Sequence, residues 1–233
     1  MNQVLIVKVE ELIYGAAVTY YPVVLRDEKN TVLIDCGYPS SFSSIQNALL
    51  KHEINAVDLT HIFITHHDHD HMGSLHEWKQ KYPKIKIVSS HIEAPFISGA
   101  QKSLRLIQAE QRQESLPEEM QEFGYAFCAM LKEIQPVPVD MVVTDKEILP
   151  WAGGCTMMMT PGHTPGHCSL YVSASQMLIA GDAAVLDQGE LIVANPEYAI
   201  DIQEAEESLR KIKALKAKSI VCYHGGIYIP ETD

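Results

Sequence analysis

The segment Thr65-His66-His67-Asp68-His69-Asp70-His71-Met72-Gly73 places four histidines and two aspartates in six consecutive residues. It follows the apolar run Ile62-Phe63-Ile64, so the donors begin where a strand ends. Imidazole nitrogen and carboxylate oxygen together suit zinc, iron or manganese. A His-rich tract is by itself only a compositional signal. Three further segments repeat the arrangement. Pro161-Gly162-His163-Thr164-Pro165-Gly166-His167 follows Cys155–Thr160, Ala180-Gly181-Asp182 closes another apolar run, and Tyr223-His224-Gly225-Gly226 closes a fourth. Each alone reads as a turn, a helix cap or a core imidazole. Four donor-bearing strand ends in one chain point to a metal centre, with glycines letting the backbone turn tightly.

The elements that must position these donors are short β-branched runs. Strands are expected at Val4–Val9, Ala17–Leu25, Val32–Ile34, Ile62–Thr65, Ile85–Val88, Cys155–Thr160, Leu170–Val172, Met177–Ala180 and Ser219–Cys222. Ser40–Glu53 and Asp201–Leu215 carry apolar residues at helical spacing. Strands interspersed with helices predict a layered α/β domain. No linker or repeat divides residues 1–233, which read as one domain. Ser98–Pro136 differs: it lacks a strand signal, and Met120, Phe123, Phe127, Met130, Leu131 and Ile134 step by three and four. One helix is expected over Lys102–Glu114 and a second from Pro117, as a pair packed on the core or a lid over an active site.

Composition sets the outer bounds. With 18 basic and 30 acidic residues the net charge is −12, a poor match to nucleic acid or anionic lipid. No run approaches the roughly 20 apolar residues of a membrane span, and Val4–Val7 is too short for a secretion signal. Five cysteines without a C-x-x-C pair predict reduced thiols. The expectation is a cytoplasmic protein that acts on a small molecule, needs neither nucleic acid nor membrane, and leaves its oligomeric state open.

The order and spacing of His66–His71, His163, Asp182 and His224 resemble the metallo-β-lactamase-fold superfamily over nearly the whole chain. Val32-Leu33-Ile34-Asp35-Cys36-Gly37 resembles that family's early strand ending in Asp-x-Gly. The resemblance implies a four-layer αβ/βα sandwich, here with the helical insertion at about 98–136. It implies one divalent ion on His66, Asp68 and His163, a second on Asp70, His71 and His224, and Asp182 bridging them. Asp35, Thr65 and His167 would hold those ligands in place. Asp68 departs from the family, which places a histidine there. His67 or His69 stays open as the ligand in its stead.

Two ions bring +4, Asp68, Asp70 and Asp182 return −3, and a bridging hydroxide makes the cluster neutral. The extra oxygen ligand moves preference toward iron or manganese, with zinc still the first expectation. The implied activity is metal-dependent hydrolysis of a small ester, thioester, lactone or amide, with Asp70 orienting the attacking hydroxide and passing a proton to the leaving group. Among relatives, glutathione thioesterases add a helical carboxyl-terminal region that this chain does not show after His224. Quorum-quenching lactonases place a tyrosine where Val185 stands. Two alternatives remain: a mononuclear iron oxidoreductase of the persulfide dioxygenase type on His66, His163 and Asp182, and a non-catalytic metal- or ligand-binding module.

Overall fold

The computed structural model describes residues 2–230; Met1 and residues 231–233 of the single-domain reading lie outside them. The chain opens with β1 (Gln3–Ile6), the hairpin β2 (Val9–Ile13) and β3 (Ala16–Tyr20), then β4 (Val23–Arg26) and β5 (Thr31–Ile34). Helix α1 (Phe42–Lys51) leads to β6 (His61–Ile64), the short α2 (His69–Met72), α3 (Leu75–Lys81) and β7 (Lys86–Ser90). Three helices follow, α4 (Ala94–Ile97), α5 (Leu104–Gln113) and α6 (Glu118–Glu133). The second half holds β8 (Met141–Val143), β9 (Ile148–Leu149), β10 (Cys155–Met159), β11 (Cys168–Val172), β12 (Met177–Gly181) and the hairpin β13 (Val185–Asp187) and β14 (Glu190–Ile192). It closes with α7 (Ile202–Ala214), β15 (Ser219–Cys222) and β16 (Gly226–Tyr228).

Two six-stranded sheets form, in the orders β1-β4-β5-β6-β7-β8 and β16-β15-β12-β11-β10-β9. Side chains alternate across a strand, so each sheet presents two faces. Val24, Leu33, Ile62, Ile64 and Ile87 pack outward against Phe42, Ile45 and Leu49 of α1 and Leu75 and Trp78 of α3. Their neighbours Val23, Val32, Ile34, Phe63 and Val88 face inward onto Cys155, Met157, Leu170, Val172 and Val221 of the other sheet. That sheet's far face, with Leu178, Ala180, Ile220 and Cys222, meets Leu209 and Ile212 of α7. Helix, sheet, sheet, helix is the four-layer α/β sandwich.

Strand direction decides where the donors gather. β5, β6, β7 and β8 run parallel. In the other sheet β10 and β12 each run antiparallel to β11, and β15 runs parallel to β12. β10, β12 and β15 therefore end at the same edge. In such sheets the crevice beyond the carboxyl ends is where loops converge.

The helical stretch folds as two antiparallel pieces with a small core of their own: Leu106, Cys128 and Leu131, flanked by Ala109, Phe127 and Met130. Ser103 caps α5 by accepting from Leu106 N, and Pro117 precedes α6. Two expected strands prove to be broken. Val4–Val9 ends as β1 at Ile6 and restarts as β2 at Val9, and Ala17–Leu25 splits at Tyr21-Pro22. Tyr21 N donates instead to Tyr223 O, and Pro22, lacking an N–H, offers only its carbonyl, which accepts from Val7 N. All five cysteines are buried and free. Among the described residues no helix is long and apolar enough to cross a membrane.

Candidate metal centre

Each donor loop leaves the carboxyl end of a strand. Asp35 follows β5, Thr65 through His71 follow β6, His163 follows β10, Asp182 follows β12 and His224 follows β15. The loops are tied across the sheets, with Cys168 N donating to Thr65 O and Cys36 N to His71 O. Gly181 has φ +55, and a Cβ there would stand 2.7 Å from His167 Nε2, so only glycine brings Asp182 this close.

A buried relay sets the tautomers of two histidines. Asp35 accepts Thr65 N–H on Oδ1 and the Thr65 hydroxyl on Oδ2, both at 2.8 Å. Because Thr65 Oγ1 spends its proton on Asp35, it accepts from His66 Nδ1 at 3.0 Å. His71 Nδ1 donates to Asp35 Oδ2 at 2.8 Å. Both imidazoles thereby keep a proton on Nδ1, which leaves Nε2 as the atom that can bind a cation, as in metal-binding histidines. His66 Nε2, His71 Nε2 and Asp182 Oδ1 are buried and have no hydrogen-bond partner. Buried polar atoms are rarely left so, and unpartnered nitrogen and carboxylate donors within the two groups described next are the chemistry that a cation would satisfy.

The donors form two groups, His66, Asp68 and His163, and Asp70, His71, Asp182 and His224, the atoms of each lying within 4.8 Å of one another. In the first, Asp68 Oδ2 is 3.6 Å from His66 Nε2 and 3.0 Å from His163 Nε2. In the second, Asp182 Oδ1 is 3.3 Å from His71 Nε2 and 3.7 Å from His224 Nε2, while Asp70 Oδ2 is 3.2 Å from His224 Nε2 and 3.9 Å from His71 Nε2. Asp182 Oδ2 reaches toward the first group, 3.6 Å from His163 Nε2. A tetrahedral ion with ligands at about 2.0–2.1 Å spaces them about 3.4 Å apart, so the donor set fits.

His67 and His69 belong to neither group among the described residues. His67 is stacked on Phe96, its Nδ1 on Glu93 Oε2 and its Nε2 accepting from Leu104 N at 3.2 Å. His69 stands at the rim, edge-on to Tyr38 and Phe127. His167 sits behind Asp182: Nε2 accepts Asp182 N–H at 2.9 Å, and Nδ1 faces Thr160. Burial and the neighbouring His66 and His163 hold its pKa well below the imidazole range, as an acceptor on Nε2 requires.

Several residues here carried no sequence signal. Glu93, fully buried, accepts His67 N–H and Nδ1–H on Oε2 and the Thr164 hydroxyl and Gly166 N–H on Oε1. It staples the first donor loop to the His163 loop. Its lone charge in the otherwise uncharged Ile87–Ile97 stretch, His91 aside, was the available clue. Tyr223 donates to Asp70 O at 2.8 Å and lies 4.0 Å from the His71 ring. Arg105, on α5, pairs with Asp68.

Four carboxylates, Asp35, Asp68, Asp70 and Asp182, meet one guanidinium, so the cavity favours cations. Burial resists ionisation of Asp68, but Arg105, the hydrogen bond with His163 and the nearby His66 hold its carboxyl well below the usual range. Burial likewise resists charging His71 and His224, yet Asp182 and the other carboxylates lift both pKa values above the imidazole range. Over the donors opens a cavity of about 190 Å³ walled by Tyr38, His69, Phe127, Asn195 and Tyr198, with Asp68, Asp70, Arg105, His163 and Asp182 at its base.

Comparison with known proteins agrees with this geometry. The chain is 27% identical over 211 residues to a Bacillus subtilis protein named "Probable metallo-hydrolase YflN", covering 83% of this chain and 75% of that one. It is 27% identical over 206 residues to a hydroxyacylglutathione hydrolase of Bartonella henselae, spanning 88% of this chain and 62% of the relative. A metallo-beta-lactamase family protein from Thermus thermophilus superposes with a TM-score of 0.74 over 97% of this chain and 74% of its own, at 21% identity. The profile of the Metallo-beta-lactamase superfamily matches residues 19–224, and the chain belongs to that superfamily.

Proposed function

We propose that the protein is a metal-dependent hydrolase that cleaves a small ester, thioester, lactone or amide. The observation that carries this reading is the pair of buried Nε2 atoms of His66 and His71, which face carboxylates and have no hydrogen-bond partner. His66, Asp68, Asp70, His71, His163, Asp182 and His224 are the residues we assign to divalent cation binding, with zinc first and iron or manganese as alternatives. A cation held there supplies a Lewis acid and lowers the pKa of bound water.

The chain's own groups do the rest. Asp70 borders the cavity and sets its Oδ2 3.2 Å from His224 Nε2. Burial opposes its ionisation, but His69, His71 and His224 keep its pKa far below the usual range. At neutral pH it is an acceptor, able to orient water and carry a proton toward a leaving group. Asp35 and Thr65 hold His66 and His71, while His167 holds the Asp182 backbone.

Substrate class is supported by what adjoins the cavity. A cleft of about 160 Å³ beside α5 and α6, apolar at Ala109, Leu116, Met120 and Phe123 and polar at Gln108, Arg112 and Glu197, shares Arg105, Phe127 and Tyr198 with it. An acyl group fits the apolar side of this annex. In this reading α5 and α6 are the lid that selects it. The hydrolytic reading is supported over the mononuclear iron one because Arg105 Nη2 lies 3.3 Å from His163 Nε2, a ligand atom that the iron site requires, whereas no lysine or arginine among the described residues pairs with the Asp70 and Asp182 carboxylates of the second group.

The test is a panel of acyl esters, thioesters, lactones and amides, assayed with metal-replete and chelator-stripped protein in ¹⁸O-water. Expected are metal-dependent cleavage and ¹⁸O in the acid product, both lost in Asp182→Ala. Oxygen consumption without hydrolysis overturns the proposal.

A further inference from the structure

Arg105 is on α5, outside all the donor loops, and is 3% exposed. Its Nε donates to Asp68 Oδ1 and Oδ2 at 3.2 and 3.1 Å, and Nη2 donates to Oδ2 at 2.5 Å. Nη1 donates to Tyr198 O at 2.6 Å and to Gln108 Oε1. The fork is thus held on both edges. Its helix is held too, since Leu104 N–H donates to His67 Nε2 and Ser103 caps the first turn. A bidentate, buried guanidinium pinned this way is a structural part of the centre.

The atom it grips matters most. Asp68 Oδ2 is the oxygen that faces both His66 Nε2 and His163 Nε2. An ion bound at about 2.1 Å to that oxygen would stand within about 4.6 Å of Nη2, beside a charge that cannot be removed by deprotonation. The second group differs. Among the described residues no lysine or arginine pairs with Asp70 or Asp182, and their partners are histidines. The two halves of the centre are therefore unequal.

We propose that Arg105 is the resident cation of the His66–Asp68–His163 position. The chain then holds one divalent ion tightly, on Asp70, His71, Asp182 and His224, and takes a second only where the guanidinium is displaced. Asp68 with Arg105 sums to zero charge, as would a neutral histidine, so the departure from the family's ligand pattern is compensated from the helical segment. This inference rests on the metal-dependent reading of the centre.

The test counts ions rather than turnover. Apo-protein is loaded with excess zinc, desalted and analysed for metal per chain, and Co(II)-loaded protein is examined by EPR for coupling between ions. Expected are one ion per chain in wild type, with uncoupled Co(II), and a rise toward two in Arg105→Gln. Arg105→Lys, which keeps a cation near Asp68, should stay near one. Should Arg105→Gln not fold, isothermal titration of wild type with zinc decides alone: one tight site, and a second at least 100-fold weaker, is expected. Two equally tight ions in wild type, with coupled Co(II), overturn this inference and leave the metal-dependent reading intact. No bound ion overturns both.

Discussion

Removing the Glu93 carboxylate should cost the protein several kcal/mol, because this one side chain joins two donor loops. It accepts from His67 N at 2.9 Å, Thr164 Oγ1 at 2.8 Å and Gly166 N at 2.9 Å, besides the His67 ring. In Glu93→Ala each of three buried donors loses its acceptor at about 1–3 kcal/mol apiece. The loss of one partner from a buried charged pair is usually about 3–5 kcal/mol, which marks the lower part of that sum. For a chain of 233 residues, about 2–4 °C per kcal/mol converts this to a melting-temperature drop of roughly 6–20 °C. Glu93→Gln should recover only part of it. The amide oxygen serves Thr164 and Gly166, but its NH2 meets the His67 N–H donor.

The pH dependence has a definite sign. Burial works against ionisation of Glu93, yet His67 and the hydrogen bonds around it win, and the folded pKa lies below the ordinary 4.5. Its contribution is therefore complete above pH 4.5 and disappears as pH falls through the lower folded value. Melting curves by circular dichroism between pH 3 and 8 should show a wild-type to Glu93→Ala gap that is flat at neutral pH and closes in acid. A drop under about 3 °C, or a gap that widens in acid, would refute the reasoning.

Other outcomes follow from the same geometry. Asp68→His alone leaves Arg105 buried and unpaired, so stability should fall by about 3–5 kcal/mol, and Asp68→His with Arg105→Gln should recover most of it in chemical denaturation. Metal affinity should fall as pH is lowered, because carboxylates that lift the pKa values of His71 and His224 favour a competing proton; titration calorimetry at pH 8 and 6 reads this directly. Gly181→Ala, strained at φ +55 and crowding His167, should lower stability by about 1–3 kcal/mol and weaken metal retention during dialysis.

Much of this architecture is legible in the sequence because its strands are short apolar runs with their donors at the ends. Ser219–Cys222 is read residue for residue, α5 and α7 lie within two residues of their expected bounds, and α6 starts one residue after Pro117. The break at Tyr21-Pro22 is not seen from β propensity, since the residues on both sides favour strand. β8, β9, β13 and β14 span two or three residues, too few for a period to show. The donors stand out because histidine and aspartate at strand ends are chemically conspicuous. Arg105 and Glu93 do not. Their partners lie 37 residues away at Asp68 and 73 residues away at Gly166, and on a local reading each is one more charged residue.

The bond between α5 and Asp68 has a consequence for how such a protein can diversify. The helices that line the cleft beside the donors also carry the countercharge of Asp68, so cleft shape and donor-loop charge are tied to one segment. A transplant of this helical segment from a relative lacking an arginine at that point would leave Asp68 charged, buried and alone. Sequence change along α5 is therefore fenced at position 105 unless position 68 changes in concert. Exchanges meant to retune specificity should move residues 68 and 105 together.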